Sequence, residues 1–140
     1  MILPFLSVKN LEASVKFYTE KLGFTSTPFM GPDGKLQMAF VNYGKSVQIG
    51  LSREQDMMPV EKRGEGLNLM LYPDDFDIDA YYKQVKSKSV PIDYDIKTEY
   101  WGDRIFSLKD PDGYFLTFGK TIKQISMEEA QSLMEKNGQQ

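Results

Sequence analysis

A chain of 140 residues is long enough for one compact domain with a buried core, and too short for two large independent domains. It contains no Cys and no His, which excludes disulfides, thiol nucleophiles, Ser-His-Asp triads and imidazole-ligated metal sites. There are 17 basic and 20 acidic residues, a net charge of −3, and the lysines are scattered. This pattern disfavours nucleic-acid binding, which needs a basic face.

The first half of the chain has the pattern β-α-β-β-β. An apolar run at residues 2–8 predicts a buried strand, and Asn10 is a suitable N-cap for the helix that follows. Apolar residues recur at helical spacing over residues 11–22, and the helix is expected to end before Gly23. Three further strands, separated by glycine-containing turns, are predicted at residues 24–30, 36–43 and 46–52.

The second half repeats this order after a polar stretch, residues 53–65, which is interpreted as a connector. The helix positions Val15, Tyr18 and Leu22 recur 63 residues later as Ile78, Tyr81 and Val85. One such module is too small to bury its sheet face alone, so the two copies are expected to share a core. The elements predicted in this half are strands at 67–72, 92–97, 104–109 and 114–119, with a helix around residues 78–85.

The last segment does not belong to the repeat. Ser126 and Glu129 have the spacing of a capping box, and a short apolar stripe follows before Gly138. We predict a C-terminal helix that packs on the domain or on a partner subunit. The predicted organisation is one domain over residues 1–125, with modules at about 1–52 and 66–120, and a helix with its tail at 126–140.

Targeting and membrane signals are not evident. No segment approaches the length of a membrane span. The N-terminal apolar run is too short for a signal peptide and is followed directly by Lys9. We therefore expect a cytoplasmic protein with no membrane partner and no nucleic-acid partner.

Two stretches carry a recognisable pattern. They are residues 8–24, which begin Val-Lys-Asn-Leu-Glu, and the run Trp101-Gly102-Asp103-Arg104, followed by Asp-Pro-Asp-Gly-Tyr at 110–114. With the paired β-α-β-β-β order over residues 2 to about 119, they resemble the vicinal oxygen chelate superfamily, which includes glyoxalase I, bleomycin-resistance proteins and extradiol dioxygenases. The resemblance implies an α+β, glyoxalase-like fold in which two β-α-β-β-β modules form a cupped mixed sheet.

The acid pair in the second stretch is interpreted as turn chemistry. Pro111 presets φ at the second turn position and Gly113 permits a positive φ, so Asp-Pro-Asp-Gly closes a tight hairpin. We therefore read Asp110 and Asp112 as turn residues and not as a catalytic pair.

The resemblance also implies four metal-ligand positions in metal-dependent members, on the first and fourth strands of each module. Within one residue, those positions hold Leu3, Ile49, Asn68 and Thr117. Two of these side chains are aliphatic and two supply only neutral oxygens, which are poor ligands for zinc, iron or nickel. Gln48 is the only neighbouring residue with a ligating side chain. We predict no metal and no cofactor.

What remains is a cup with aromatic walls, whose lining follows from strand alternation. Arg104 is weighed either as an anchor for a carboxylate or phosphate or as the partner of a nearby acid, such as Asp103, Asp95 or Glu99. Trp101 has two possible roles, either to stack on a ligand or to pack in the core. Residues 57–59 are weighed as a lid or as connector packing. The predicted ligand-binding set is Phe5, Phe40, Ile49, Asn68, Tyr94, Trp101, Arg104, Phe106 and Thr117.

These features favour a metal-free homodimer that resembles the bleomycin-resistance proteins. Such a protein holds a hydrophobic or aromatic small molecule in a concave pocket and sequesters it, as in antibiotic resistance, and it needs no catalytic residue. The alternative is an enzyme of the same fold, a lyase, isomerase or dioxygenase-like protein whose site lacks His. A third reading, an interaction module, depends on the C-terminal helix.

Overall fold

The structure is a computed structural model that describes residues 1–53 and 66–138, with the backbone alone for residues 137 and 138. Apart from Arg53, the predicted connector at residues 53–65 lies outside the described residues. The possible lid at residues 57–59 lies outside them as well.

The first module consists of one mixed sheet covered by a helix. In chain order its elements are β1 (Phe5–Val8), α1 (Leu11–Lys16), a π-helical turn (Phe17–Lys21), β2 (Thr25–Met30), β3 (Leu36–Tyr43) and β4 (Val47–Arg53). The strand order is β1-β4-β3-β2, with β1 parallel to β4 and the other pairs antiparallel. Asn10 caps α1 by accepting a hydrogen bond from the backbone of Ala13 at 3.0 Å.

The second module has the same order of elements. They are β5 (Asn68–Leu71), α2 (Ile78–Ser87), β6 (Tyr94–Thr98), β7 (Asp103–Lys109) and β8 (Phe115–Thr121), followed by the C-terminal helix α3 (Met127–Gly138). The strand order is β5-β8-β7-β6, again with one parallel pair at the edge, β5 with β8. The predicted α+β fold of two β-α-β-β-β modules with a C-terminal helix is therefore confirmed.

Two predicted boundaries are corrected. The first strand begins at Phe5 rather than at residue 2, because Pro4 has no N–H to donate to a strand ladder. Its carbonyl still accepts from Gly50 at 2.8 Å. The first helix changes to π-helical winding after Lys16, and Leu22 donates to the carbonyl of Phe17 at 3.1 Å. The predicted helix at 11–22 is thus two short helical segments.

The two modules share one hydrophobic core. Core residues of both halves form a single cluster, which includes Leu51 of β4 and Phe118 of β8. Buried hydroxyls also cross the boundary: Tyr81 donates to the carbonyl of Leu22 at 2.6 Å, and Tyr114 donates to that of Ser7 at 2.9 Å. This shared core agrees with the expectation that neither module buries its sheet alone.

The Asp-Pro-Asp-Gly turn also joins the modules. Within the turn, the backbone of Asp112 donates to the carboxylate of Asp110 at 2.9 Å, and Gly113 donates to the carbonyl of Asp110 at 3.0 Å. Asp112 in turn accepts from the backbone of Lys9 at 2.8 Å and from the hydroxyl of Ser14 at 3.3 Å. Both acids therefore have the structural role that the turn predicts.

Each sheet has one face in this core and an opposite face, called here the open face. On β4, Ile49 and Leu51 are in the core, whereas Gln48 is exposed. On β7, Phe106 and Leu108 are in the core, whereas Ile105 and Ser107 lie on the open face. Because strand side chains alternate, this assigns the regularly paired strand positions to a face, whereas the pairing is irregular in β2 after Phe29 and in β6 after Tyr94.

The C-terminal helix is capped as predicted but is poorly covered. The hydroxyl of Ser126 accepts from the backbone of Glu129 at 3.1 Å, as a capping box requires. In its apolar stripe, Met127 is 84% exposed and Met134 is 54% exposed, while Ala130 and Leu133 are half-buried. No helix among the described residues has the length and apolar character that a bilayer crossing requires.

Candidate ligand-binding site

The open face of the second module contains a concavity of about 400 Å³. All four strands of the module and the turn between β6 and β7 contribute side chains, and most of these are apolar or aromatic. The lining residues are Asn68, Met70, Tyr94, Glu99, Trp101, Ile105, Ser107, Phe115 and Thr117. A concave, mostly apolar site with a few converging polar groups is typical of small-molecule binding.

A short relay of hydrogen bonds forms the polar floor of this concavity. The hydroxyl of Thr117 donates to the side-chain oxygen of Asn68 at 2.8 Å. It also lies 2.9 Å from the hydroxyl of Ser107. Because a hydroxyl has one proton, Ser107 is then the donor of the second bond. Ser107 and Thr117 are both buried, and the relay satisfies their hydroxyls without a charged partner.

Glu99 supplies the charge of the site. It is 9% exposed, and one carboxylate oxygen accepts from the hydroxyl of Tyr94 at 2.5 Å. The other oxygen lies 3.9 Å from the ammonium of Lys97, whose side chain is 62% exposed. The hydrogen bond to Glu99 is the main reason that the pKa of Tyr94 lies above its ordinary value, since ionisation would place two negative charges side by side.

A tight turn places Glu99 and Trp101 on the same wall. Gly102 donates to the carbonyl of Glu99 at 3.0 Å, and its own carbonyl accepts from Ile122 and Lys123 at 2.8 and 3.0 Å. Gly102 has φ +99°, and a Cβ at this position would lie 1.9 Å from the carbonyl oxygen of Lys123. Only glycine fits there, so Gly102 fixes how Trp101 enters the concavity.

The open face of the first module is covered by phenylalanine rings. Phe40 packs edge-on against both Phe5 and Phe29, with ring centroids 5.5 Å apart in each pair. The ring of Phe5 also lies over Gly50, where a Cβ would come within 2.6 Å of it. The two modules therefore share a fold but present different surfaces.

Four residues of the predicted ligand-binding set meet in the concavity: Asn68, Tyr94, Trp101 and Thr117. Phe5 and Phe40 are also neighbours, but they lie on the open face of the other module. The structure therefore divides the predicted set between two surfaces.

Ile49 and Phe106 lie in the core instead of on an open face, both with no exposed surface. The predicted position of Ile49 was wrong by one residue, since Gln48 and Gly50 occupy the open face of β4. A shift of one residue exchanges the two faces of a strand. Phe106 stacks on Phe118 at 5.4 Å in the shared core.

Arg104 also lies on the helix-covered face. Its guanidinium donates to both carboxylate oxygens of Asp79 on α2, at 2.8 to 3.1 Å, and to the hydroxyl of Thr98 at 3.1 Å. Arg104 is therefore the partner of an acid, as one of the two alternatives had it, but that acid is Asp79 and not Asp103, Asp95 or Glu99. The paired guanidinium lowers the pKa of the Asp79 carboxyl.

Sequence reasoning missed several lining residues, among them Met70, Ile105 and Ser107. Ser107 is the direct antiparallel partner of Thr117, and Ile105 is two residues before it on the same face. The hairpin register, read across the Asp-Pro-Asp-Gly turn, was the signal that identifies both. Glu99 was considered as a possible partner of Arg104, and the turn at Gly102 that brings it inward has no equally clear signal.

On the strands that carry the metal ligands in metal-dependent members of the resembled superfamily, the side chains of this chain do not fit a divalent ion. The open faces of β1, β4, β5 and β8 present Phe5, Gln48, Asn68 and Thr117, which include no carboxylate and no imidazole. The side-chain oxygen of Asn68 already accepts from the hydroxyl of Thr117. Within residues 1–53 and 66–138, no three Asp or Glu side chains cluster closely enough to hold a metal. No metal-dependent step is derived for this chain.

Comparison with known proteins identifies the class to which this fold and site belong. The sequence model of the Glyoxalase/Bleomycin resistance protein/Dioxygenase superfamily matches residues 2–118, and the chain belongs to that superfamily.

Individual relatives are distant. An uncharacterised protein of Mycobacterium bovis is 24% identical over 142 residues, which cover 96% of this chain and 92% of that protein. The crystal structure of TioX from Micromonospora sp. ML1 is similar, with a TM-score of 0.69 and 17% identity over 91% of this chain and 98% of that one. A glyoxalase/bleomycin resistance protein from Streptomyces sp. CB03234 has a TM-score of 0.66 and 26% identity, covering 84% of this chain and 97% of that one.

Proposed function

We propose that this protein binds a small, flat hydrophobic or aromatic compound without a metal, in the manner of the bleomycin-resistance proteins. The concavity on the second module is the observation that carries this proposal. Its volume of about 400 Å³ and its lining, which includes Tyr94, Trp101 and Phe115, suit a planar ring system held by stacking and apolar contact.

The donor set supports the metal-free part of the proposal. A binding protein needs shape and a few orienting polar groups, and the relay of Asn68, Thr117 and Ser107 provides such groups at the floor of the concavity. Gln, Asn and Thr oxygens are neutral and bind zinc, iron or nickel weakly. The proposed ligand-binding residues are therefore Asn68, Tyr94, Trp101 and Thr117 together with their neighbours in the lining.

We further propose that the protein is a homodimer in which a second copy covers the open faces. Large apolar side chains on these faces are exposed, namely Phe5, Phe29, Met70 and Tyr94. Contiguous exposed apolar residues favour association over solvation. Sedimentation of the protein at micromolar concentration tests this proposal: a dimer is expected for the natural chain, a shift to monomer for Phe29→Asp, and no shift for Thr19→Asp on the π-helical turn.

A ligand titration tests the binding function. Trp101 is the only tryptophan of the chain, so its fluorescence reports directly on the proposed site. A panel of planar aromatic compounds is expected to contain members that quench or shift this emission and release heat in calorimetry. The Trp101→Ala variant, followed by calorimetry, should weaken binding by about tenfold, whereas Tyr82→Ala, an aromatic truncation on α2, should leave the affinity unchanged.

Two results would overturn the proposal. One is a panel in which no compound changes the emission or the heat. The other is a stoichiometric divalent ion in protein purified without chelator.

A further inference from the structure

The charge of the concavity sets the class of compound that it takes. Among the described residues that line it, Glu99 is the only Asp, Glu, Lys or Arg. Arg104, for which an anchoring role toward an anionic ligand was one of two alternatives, is paired with Asp79 on the opposite face of the sheet. The charged group that lines the described part of the site is therefore an acid and not a base.

We infer that the ligand is a flat aromatic cation, such as a protonated amine on a ring system or a protonated nitrogen heterocycle, and that Glu99 is its counter-ion. This inference rests on the proposed binding function and names the substrate class of the same site.

The geometry of Glu99 leaves capacity for such a partner. An ionised carboxylate accepts hydrogen bonds at about four positions, and the hydroxyl of Tyr94 takes one of them, at 2.5 Å. Tyr94 therefore orients the carboxylate without neutralising it. Since Glu99 is largely withdrawn from water, a charged hydrogen bond formed there is stronger than one at the surface.

Lys97 does not cancel this charge. Its ammonium lies 3.9 Å from Glu99, and its side chain is 62% exposed, so solvent and salt screen the pair. A cation bound inside the concavity would be less solvated than Lys97 and would compete with it effectively. Removing Lys97 is therefore expected to strengthen the binding of a cation.

The aromatic walls favour the same ligand. Trp101 and Tyr94 line the concavity beside Glu99, and a cation over an indole or phenol ring is attracted by the negative face of the ring. An anion would meet both this negative face and the carboxylate. The polar floor, made of neutral oxygens, favours neither charge strongly.

Three tricyclic probes of nearly equal shape test the inference by calorimetry at pH 7: 9-aminoacridine, which is a cation, acridone, which is neutral, and acridine-9-carboxylate, which is an anion. For the natural chain we expect 9-aminoacridine to bind about tenfold more tightly than acridone, and the anion to bind most weakly. Raising the salt concentration should reduce the advantage of the cation.

The variants separate charge from shape. Glu99→Gln should remove the preference for 9-aminoacridine and leave the affinity for acridone nearly unchanged. Lys97→Gln should increase the affinity for the cation by a few-fold. Glu128→Gln, an equal change of charge on exposed α3, should have no effect on any probe.

The outcomes distinguish the two proposals. If acridone or the anion binds the natural chain as tightly as 9-aminoacridine does, or if Glu99→Gln keeps the preference, the inference fails while the binding function stands. If none of the probes and no compound of the aromatic panel binds, the proposed function fails as well. The preference of the natural chain tests the inference even if Glu99→Gln does not fold.

Discussion

The hydroxyl of Tyr18 donates a hydrogen bond of 2.9 Å to the carboxylate of Asp110, and so connects the first module to the second across 92 residues of sequence. Asp110 also accepts from the backbone of Asp112 and Tyr114, both at 2.9 Å. Burial nevertheless dominates, and it raises the pKa of Asp110 to about 6. The joint between the modules therefore contains a titratable group.

The raised pKa of Asp110 predicts a pH dependence of stability. A carboxyl whose pKa is higher in the folded than in the unfolded state stabilises the fold fully below the unfolded pKa, and that stabilisation is lost as pH rises through the folded pKa. The window is about pH 4 to 6. Over it, the free energy of unfolding of the natural chain should fall by up to about 3 kcal/mol relative to Asp110→Asn.

Denaturant unfolding at pH 4, 5, 6 and 7 measures this difference. The comparison with Asp110→Asn removes the opposing contribution of Glu12, Asp79 and Asp95, whose pKa values are lowered. Parallel pH profiles for the two proteins would contradict the prediction.

Tyr18→Phe should destabilise the fold by about 1–3 kcal/mol, because it leaves the buried carboxylate of Asp110 with one donor fewer. It should also raise the pKa of Asp110 further and move the pH window upward. Tyr82→Phe is the matched control, since the hydroxyl of Tyr82 donates to an exposed carboxylate, that of Asp95, and should cost less than 1 kcal/mol. Equal losses for the two variants would refute the special role of Tyr18.

Gly50→Ala should displace the ring of Phe5, because the added Cβ would come within 2.6 Å of it. A loss of about 1–3 kcal/mol is expected. In a Phe5→Ala background the same substitution should be neutral or stabilising, since glycine in a strand costs about 0.5–1 kcal/mol relative to alanine. A double-mutant cycle by thermal unfolding measures the coupling, and additive effects would show that the two residues do not interact.

Gly102→Ala should be far more damaging than Gly34→Ala. Both glycines have a positive φ, at +99° and +76°, but a Cβ on Gly34 meets nothing within 4 Å, whereas one on Gly102 meets the carbonyl oxygen of Lys123 at 1.9 Å. We expect about 1 kcal/mol for Gly34→Ala and several-fold more for Gly102→Ala. The emission of Trp101 should shift with Gly102→Ala only; similar unfolding curves for both variants would disprove the clash.

Arg104→Gln should leave the affinity for any panel compound unchanged. The guanidinium is bound to Asp79 and does not line the concavity, so the substitution removes a partly exposed ion pair worth up to about 1 kcal/mol of stability. Calorimetry on a bound compound, with Trp101→Ala as the positive control, checks this. A tenfold loss of affinity for Arg104→Gln would place Arg104 at the site after all.

The fold was predictable from periodicity, and the site only partly so. The cap at Asn10 and the helical stripe ending at Leu22 are local signals, and the structure places this cap as the pattern indicates. Asn68 and Thr117 were placed by the family resemblance, at the ligand positions that it implies for the second module. The same resemblance placed Ile49 only to within one residue, and an error of one residue reverses the face of a strand.

The partner of Arg104 and the environment of Glu99 illustrate a second limit of prediction from sequence. Asp79 is 25 residues from Arg104 in sequence, and nearer acids were available. Glu99 follows the polar residues Lys97 and Thr98, yet the turn at Gly102 places it in a largely buried position. Long-range packing decided both cases, and no local pattern encodes it.

The covering of the first module by Phe5, Phe29 and Phe40 has a consequence for stoichiometry. Among the described residues, the rings occupy the surface that corresponds to the concavity of the second module, so we expect the second module to hold the ligand site. A titration of this chain should saturate at one equivalent of ligand per polypeptide, and a dimer should take up two, one from each second module.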